Sequence, residues 1–259
     1  MSLYEQFVMA IHALQEVEEE IGSAPSLPNT PSFPTLDEVL DQIDPVPGAS
    51  LLFGVADDGL PILLNLNNPR PGPILILGDA GTGKTEFLQV AAAAAMRLHT
   101  PDQIQLAVLA SQPEDWAKYA GDHLFGIAPI RPREARDLFF RAAGWIQDHD
   151  PDQALVLMID GLDAAARLDS QSQESLSWML QNGPQSCLWP VVTLNSTLAL
   201  DLPEWLALFH SRIYGRVENA ATSVQLTPIP GAALNTLFPG AQFSMREKTH
   251  WLRFWLPLA

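Results

Sequence analysis

Cysteine is nearly absent from this 259-residue chain, where Cys187 stands alone. A single thiol excludes an internal disulfide framework and a cysteine-rich metal site, fits a reducing compartment, and reads as a buried side chain. Basic residues are scarce as well, 14 Lys and Arg against 30 Asp and Glu, for a formal charge of −16. That balance repels a polyanion unless the cations are gathered on one surface, so it counts against general nucleic-acid binding. No run approaches the roughly 18 apolar residues of a membrane span, and the first residues are acidic and helix-like, with no basic leader. The expectation is a soluble, cytoplasmic protein without a membrane span. The histidines, at positions 12, 99, 123, 149, 210 and 250, show no pair at metal-ligand spacing, which leaves them structural or solvated roles. No internal repeat is found.

What is present is apolar content, 47% of residues, enough for one sizeable α/β domain with an appendage. Residues 1–22 read as an acidic amphipathic helix. Ser2 and Glu5 form a capping-box pattern, and Leu3, Phe7, Ile11, Leu14 and Val17 recur at helical spacing. Residues 23–49 form a Pro/Ser-rich linker ending in a short helix at 36–43, behind a second capping box of Thr35 and Glu38. Whether that helix packs on the core is open at this point. From residue 50 to 259 the pattern changes to apolar runs at Leu51–Val55, Pro61–Leu66, Ile74–Leu77, Ile104–Leu109, Ala154–Ile159 and Val191–Leu194, separated by helical segments such as Glu86–Leu98, Pro132–Gln147 and Ser172–Gln181. Strands without polar alternation, interleaved with helices, predict a mainly parallel central sheet covered on both faces.

The strand Ile74–Leu77 runs directly into Gly78-Asp79-Ala80-Gly81-Thr82-Gly83-Lys84-Thr85, and a helical segment follows. This is a phosphate-binding P-loop in its strand-loop-helix context. The glycines let backbone N–H groups close around phosphates at the positive end of a helix, Lys84 can reach the terminal phosphates, and the Thr85 hydroxyl can ligate Mg²⁺; ATP with Mg²⁺ is the expected ligand. Asp160 ends the strand Ala154–Ile159, where open α/β sheets gather ligand groups, and it is placed to hold the Mg²⁺ shell. Gly161 occupies the next position, where many P-loop motors carry a glutamate to orient the attacking water. Asp163 is the nearest downstream carboxylate, open to that role or to helix capping. Asn195, at the end of Val191–Leu194, is a candidate γ-phosphate sensor or a turn opener.

In order and context, these motifs over residues 50–259 resemble the FtsK/HerA superfamily of RecA-like motor ATPases, which includes DNA translocases and type VII secretion ATPases. The matching segments are Gly59–Leu66, Pro73–Gly78, Ile104–Pro113, Leu124–Pro129, Gly183–Asn195 and the closing segments Ser211–Val217, Gly240–Phe243 and Trp251–Pro257. The resemblance implies a RecA-like P-loop NTPase fold and ATP sites between subunits of a homo-oligomer, often a hexameric ring. It implies that Asp160 is the Walker-B residue, that Asn195 replaces the usual polar sensor, and that Arg212 or Arg216 acts on a neighbour's nucleotide, with a structural ion pair as the alternative. The Asp160-Gly161 pair looks like the Walker-B ending of weakly active secretion-type domains.

Three functions stand open on this reading: a motor or switch ATPase that moves or gates a polymer, a non-catalytic ATP-binding scaffold, and a protein-secretion ATPase. DNA would need Arg131, Arg133, Arg136 and Arg141 on a channel surface, whereas spacings such as Arg133 to Asp137 fit solvated helix pairs better. The tryptophans are dispersed, as packing residues are; Trp251, Phe254 and Trp255 are open to a subunit contact or to the edge of the core.

Overall fold

The computed structural model describes residues 34–258, except 44, 47 and 149–151. The expected amphipathic helix at the amino terminus and most of the linker lie outside the described residues. The elements follow the apolar pattern closely. Ten strands form one sheet: β1 Ser50–Ala56, β2 Pro61–Asn65, β3 Ile74–Gly78, β4 Ile104–Ala110, β5 Leu124–Pro129, β6 Ala154–Asp160, β7 Leu188–Asn195, β8 Ser211–Tyr214, β9 Gln242–Glu247 and β10 His250–Trp255. Their order is β2-β1-β10-β9-β8-β3-β7-β6-β4-β5.

From β8 to β5 every pairing is parallel, and both faces of these strands are covered. Ile74 and Ile76 of β3 join one core while Leu75 and Leu77 join the other. In β6, Val156 and Met158 face the first core and Leu155, Leu157 and Ile159 the second. A pleated strand points successive side chains to opposite faces, so burial on both sides demands an uninterrupted apolar run. The mainly parallel sheet expected forms, and its other edge is antiparallel. β1 and β2 form an antiparallel hairpin, and β9 and β10 close onto it, also antiparallel. Hairpin strands buried by helices on one face and flanking loops on the other look as apolar as parallel ones; only the turn Asp57-Asp58-Gly59, with Gly59 at φ 83°, separates the two cases.

The first core is roofed by α1, Leu36–Ile43, and α2, Lys84–Leu98. The capping box of α1 forms as expected: the Thr35 N–H donates to Glu38 Oε2 at 2.8 Å and the Glu38 N–H to Thr35 Oγ1 at 3.3 Å. The helix packs on the core through Leu36, Val39 and Leu40 and is tied to the carboxyl end by Leu36 N–H to Leu258 O (2.7 Å) and Leu258 N–H to Pro34 O (3.1 Å). In α2 the alanine run lies flat on the sheet, and Phe87 is clasped by Phe53, Phe243 and Phe254 with ring centroids 5.1–6.2 Å apart. This aromatic cluster locks the helix that follows the P-loop to the antiparallel half.

The second face carries α3, Pro132–Asp148, α4, Leu162–Ala165, α5, Ser170–Asn182, and three shorter helices, α6 Ser196–Ala199, α7 Pro203–Leu206 and α8 Ala220–Leu226. Two of the α3 arginines make contacts beyond their own helix. Arg136 reaches Asp169, the N-cap of α5, at 3.4 Å, and Arg141 lies over the Phe125 ring at 5.1 Å. Trp116 and Trp189 are fully buried. Trp251 packs on Tyr214, and Phe254 sits in the core, so these residues serve this subunit's own fold. Cys187 is half-buried in a left-handed turn at φ 56°, a correction to the buried-thiol reading. His99 is buried, with Nε2 2.8 Å from Ser50 O. No helix among the described residues is long and apolar enough to cross a membrane.

Candidate functional site

Parallel register brings four loops to one end of the sheet. Gly78 is aligned with Asn195 on β7, and Asp160 on β6 is aligned with Thr193 on β7, so the P-loop, the end of β6, the end of β7 and the turn after β8 all open at the carboxyl ends of the strands. The loop itself is closely fitted. A Cβ on Gly78 would lie 2.5 Å from Thr82 Oγ1, and one on Gly83, at φ 86°, would lie 2.7 Å from the Gly240 carbonyl oxygen. Only glycine allows these approaches. The Thr82 hydroxyl donates to Asp79 O at 2.8 Å and braces the turn.

Lys84 opens α2 and folds back into the loop, where its ammonium donates to Gly78 O at 3.0 Å and Asp79 O at 2.7 Å. Burial pushes its pKa below the ordinary lysine value, against the opposing pull of Asp160, Asp79, Glu86 and Asp163. A buried cation held by neutral carbonyls gains when phosphate oxygens replace them. Thr85 Oγ1 donates to Asp160 Oδ2 at 2.7 Å, and Thr193 Oγ1 donates to Asp160 Oδ1 at 2.7 Å. The carboxylate is therefore held between two hydroxyls from different elements, with Thr85 and Asp160 side by side as an oxygen pair of the kind Mg²⁺ accepts. A cavity of about 300 Å³ opens beside them, lined by Gly81, Gly83, Lys84, Thr85, Glu86 and Asp115. Glycine cradle, lysine and paired oxygens fit a nucleotide triphosphate with Mg²⁺.

The other predicted residues divide. Ala80 and exposed Gly81, at φ 75°, lie in the loop's outer turn. The Asp79 side chain points to the neighbouring loops, accepting from Ser196 Oγ and from the Glu218 N–H at 2.8 Å, while its own N–H donates to Arg216 O at 3.0 Å. Asn195 sits beside the P-loop, but its side chain caps α6 by accepting from the Thr197 N–H at 3.1 Å, the turn-opening alternative. Asp163 falls in the first turn of α4, where Gly161 is the cap residue at φ 118° and ψ 78°. Arg212 is directed to the start of β8, away from the P-loop, donating from Nη2 to Leu206 O at 2.7 Å and from Nε to Phe209 O at 3.2 Å. It lines a larger cavity of about 540 Å³ with Ile74, Ser211 and Trp251, at the opposite ends of β3 and β8 from the phosphate loop. Arg216 is at the P-loop end, half-exposed, 3.6 Å from Glu218. Thr193, which holds Asp160, was missed by sequence reasoning. A lone threonine in the apolar stretch of β7, one residue pair from Asn195 and on the same face, was the available signal.

No family model matches the sequence, and no curated protein matches it. Among solved structures, the chain is similar to EssC (ATPases 2 and 3) from Geobacillus thermodenitrificans, with TM-score 0.69, 16% identity and coverage of 98% of this chain and 50% of that one. It is similar to Thermomonospora curvata EccC (ATPases 2 and 3), solved in complex with a signal sequence peptide, with TM-score 0.65, 15% identity and coverage of 92% and 44%. A third similar structure is the DNA-packaging ATPase of Sulfolobus turreted icosahedral virus, with TM-score 0.55, 13% identity and coverage of 73% and 98%. The chain spans about half the length, or less, of the EssC and EccC chains. At 13–16% identity the likeness is one of fold, the α/β fold of these ATPases.

Proposed function

We propose that the chain is an ATP-binding motor or switch ATPase of the FtsK/HerA type, which couples nucleotide binding and slow hydrolysis to movement or gating of a polymeric partner in the cytoplasm. The observation that carries this reading is the joined set of Lys84, Thr85 and Asp160, in which Thr85 and Asp160 share a 2.7 Å hydrogen bond beside the glycine cradle. Bound Mg²⁺ supplies charge neutralisation between the phosphate oxygens. Lys84 would exchange its two carbonyl partners for phosphate oxygens, Thr85 and Asp160 would hold the metal, and Thr193 would keep the carboxylate oriented. Slow turnover follows from Gly161. Its backbone conformation belongs to glycine, so the position after Asp160 is not built for a water-orienting glutamate. Asp163 or Asn195 is left to assist the attacking water, and Arg216, on the exposed side of the P-loop, is the candidate to act on a nucleotide in an adjoining subunit of a homo-oligomer.

Within this function a polypeptide is favoured over DNA as the moved partner. The charge of −16 opposes a polyanion, and two α3 arginines are already engaged by Asp169 and Phe125. The similarity to secretion ATPases, one of them solved with a signal sequence peptide, supports the same choice. The test is steady-state ATP hydrolysis by wild type and Lys84→Ala across protein concentration, with and without duplex DNA at low salt. A slow, Lys84-dependent rate that rises with protein concentration and ignores DNA is expected. Strong stimulation by DNA would overturn the polypeptide choice, and a rate or ATP affinity untouched by Lys84→Ala would overturn the site.

A further inference from the structure

The outer surface of the second face carries an apolar groove that the nucleotide site does not use. α3 packs on β5 and α5 on β7, which leaves a valley between the two helices above β6 and β4. A groove of about 580 Å³ runs along it, with Ala143, Gln147, Glu174, Ser175, Trp178 and Met179 in its walls. Phe140 stands on α3 one turn before Ala143 with 79% of its surface exposed, and Trp178 is 46% exposed. Arg133, Arg136, Phe140, Ala143 and Gln147 follow the i, i+3, i+7 spacing of one helix face, so the apolar groove continues into a basic end. There Arg136 holds Asp169 at 3.4 Å, and Arg167 lies two residues before that aspartate. Arg133 and Arg167 are exposed and make no ion pair among the described residues.

An apolar strip that ends in arginines calls for a partner that is apolar at one end and acidic at the other. The chain's own first 22 residues have that make-up: Leu3, Phe7, Ile11 and Leu14 at helical spacing, then Glu16, Glu18, Glu19 and Glu20, and no Lys or Arg. The dimensions agree. As a helix, at about 1.5 Å per residue, the segment would carry its acidic run roughly 14–20 Å beyond Phe7, and Arg133 lies roughly 10 Å from Phe140 and roughly 21 Å from Gln147 along α3. The two would therefore match in antiparallel orientation, with Glu174, the groove's own acid, kept to the apolar half. The tether is long enough. Residues 23–33, extended, reach roughly 36–40 Å from Pro34, which is fixed against Leu258 just past β10. In strand order β6 and β4, beneath the groove, stand five and six steps from β10, or roughly 24–29 Å at about 4.8 Å per step.

We propose that the groove between α3 and α5 is the seat of this chain's own amino-terminal segment, residues 1–22, which lays its apolar stripe over Phe140 and Trp178 and its glutamates on Arg133 and Arg167. The proposal stands apart from the nucleotide reading. Its test replaces Phe7 of the full chain with the photoreactive p-benzoylphenylalanine and maps the cross-link formed on irradiation. A cross-link within one chain, to residues of α3 or α5, is expected. Phe140→Ser is expected to cut its yield about fivefold or more, and so is Arg133→Glu combined with Arg167→Glu. Melting temperatures stay unchanged, because all three side chains are exposed. Adding Glu18→Arg and Glu19→Arg to the reversed arginines restores the yield. No cross-link, or one mapped to another surface, would overturn the proposal. A cross-link joining two chains would overturn it too, by making the groove an interface between copies, and a yield indifferent to every substitution would reduce the contact to chance proximity.

Discussion

Replacing Gly161 tests why this site is expected to be slow. The residue holds φ 118° and ψ 78°, a region that only glycine enters without strain, and the cost for another residue is about 1–3 kcal/mol. Steric crowding adds nothing. A Cβ there would meet Ile130 Cδ1 at 3.6 Å, Ser111 Oγ at 3.8 Å and Asp163 Oδ1 at 3.9 Å, all ordinary contacts. Gly161→Ala therefore measures backbone strain alone, and for a protein of this size 1–3 kcal/mol corresponds to a fall in melting temperature of roughly 2–12 °C. Gly161→Glu is expected to lose at least as much, since its carboxylate is added beside Asp163, and to gain no hydrolysis, because relaxing the strain moves the end of β6 and with it Asp160. Thermal unfolding and steady-state ATPase of wild type and the two variants decide the matter. A Gly161→Glu variant as stable as wild type and faster in turnover would refute the argument that the backbone here excludes a working glutamate.

Thr193→Val keeps the side-chain shape and removes the donor to Asp160 Oδ1; the Mg²⁺ concentration needed for half-maximal ATP binding should rise about tenfold or more, while an unchanged requirement would show Asp160 to be oriented without it. His99 supplies a pH prediction. Burial holds its pKa below 6.5, with the Ser50 carbonyl pulling it up and His123 pushing it down. The folded value lies under the unfolded one, so this contribution is whole above about pH 6.5 and is lost as pH falls through the unfolded value toward the folded one. The urea midpoint should drop between pH 7.5 and 5.5 in wild type and drop less in His99→Gln, and parallel curves for the two proteins would remove His99 as the cause.

The legible parts of this protein were those where one residue's neighbours in sequence are also its neighbours in space. The P-loop is a local strand-turn-helix, so its glycines, Lys84 and Thr85 could be read directly. The capping box at Thr35 and Glu38 closes within four residues, and it formed as read. The central strands announced themselves because burial on both faces leaves no polar alternation. Asp160 was legible for the same reason, as the first charge after an apolar run.

What resisted reading depended on contacts across the chain. Whether Asn195 reaches toward phosphate or caps α6 turns on a side-chain torsion, and the nearby Thr197 N–H offered a local partner. Arg212 and Arg216 look alike in sequence, yet one strand's length puts Arg212 on the carbonyls of Leu206 and Phe209 and Arg216 beside the P-loop. The antiparallel edge was hidden because β1 and β10, some two hundred residues apart in the chain, had to pair before their direction was settled. By itself the sequence determined the phosphate loop, the apolar strands and the acidic surface, since these follow from backbone geometry and composition. Only the tertiary structure decided that Thr193 holds Asp160, that Asp79 ties the loop to Ser196 and Glu218, and that Gly240 is pressed against Gly83, because each is a meeting of distant segments that strand order and register bring about.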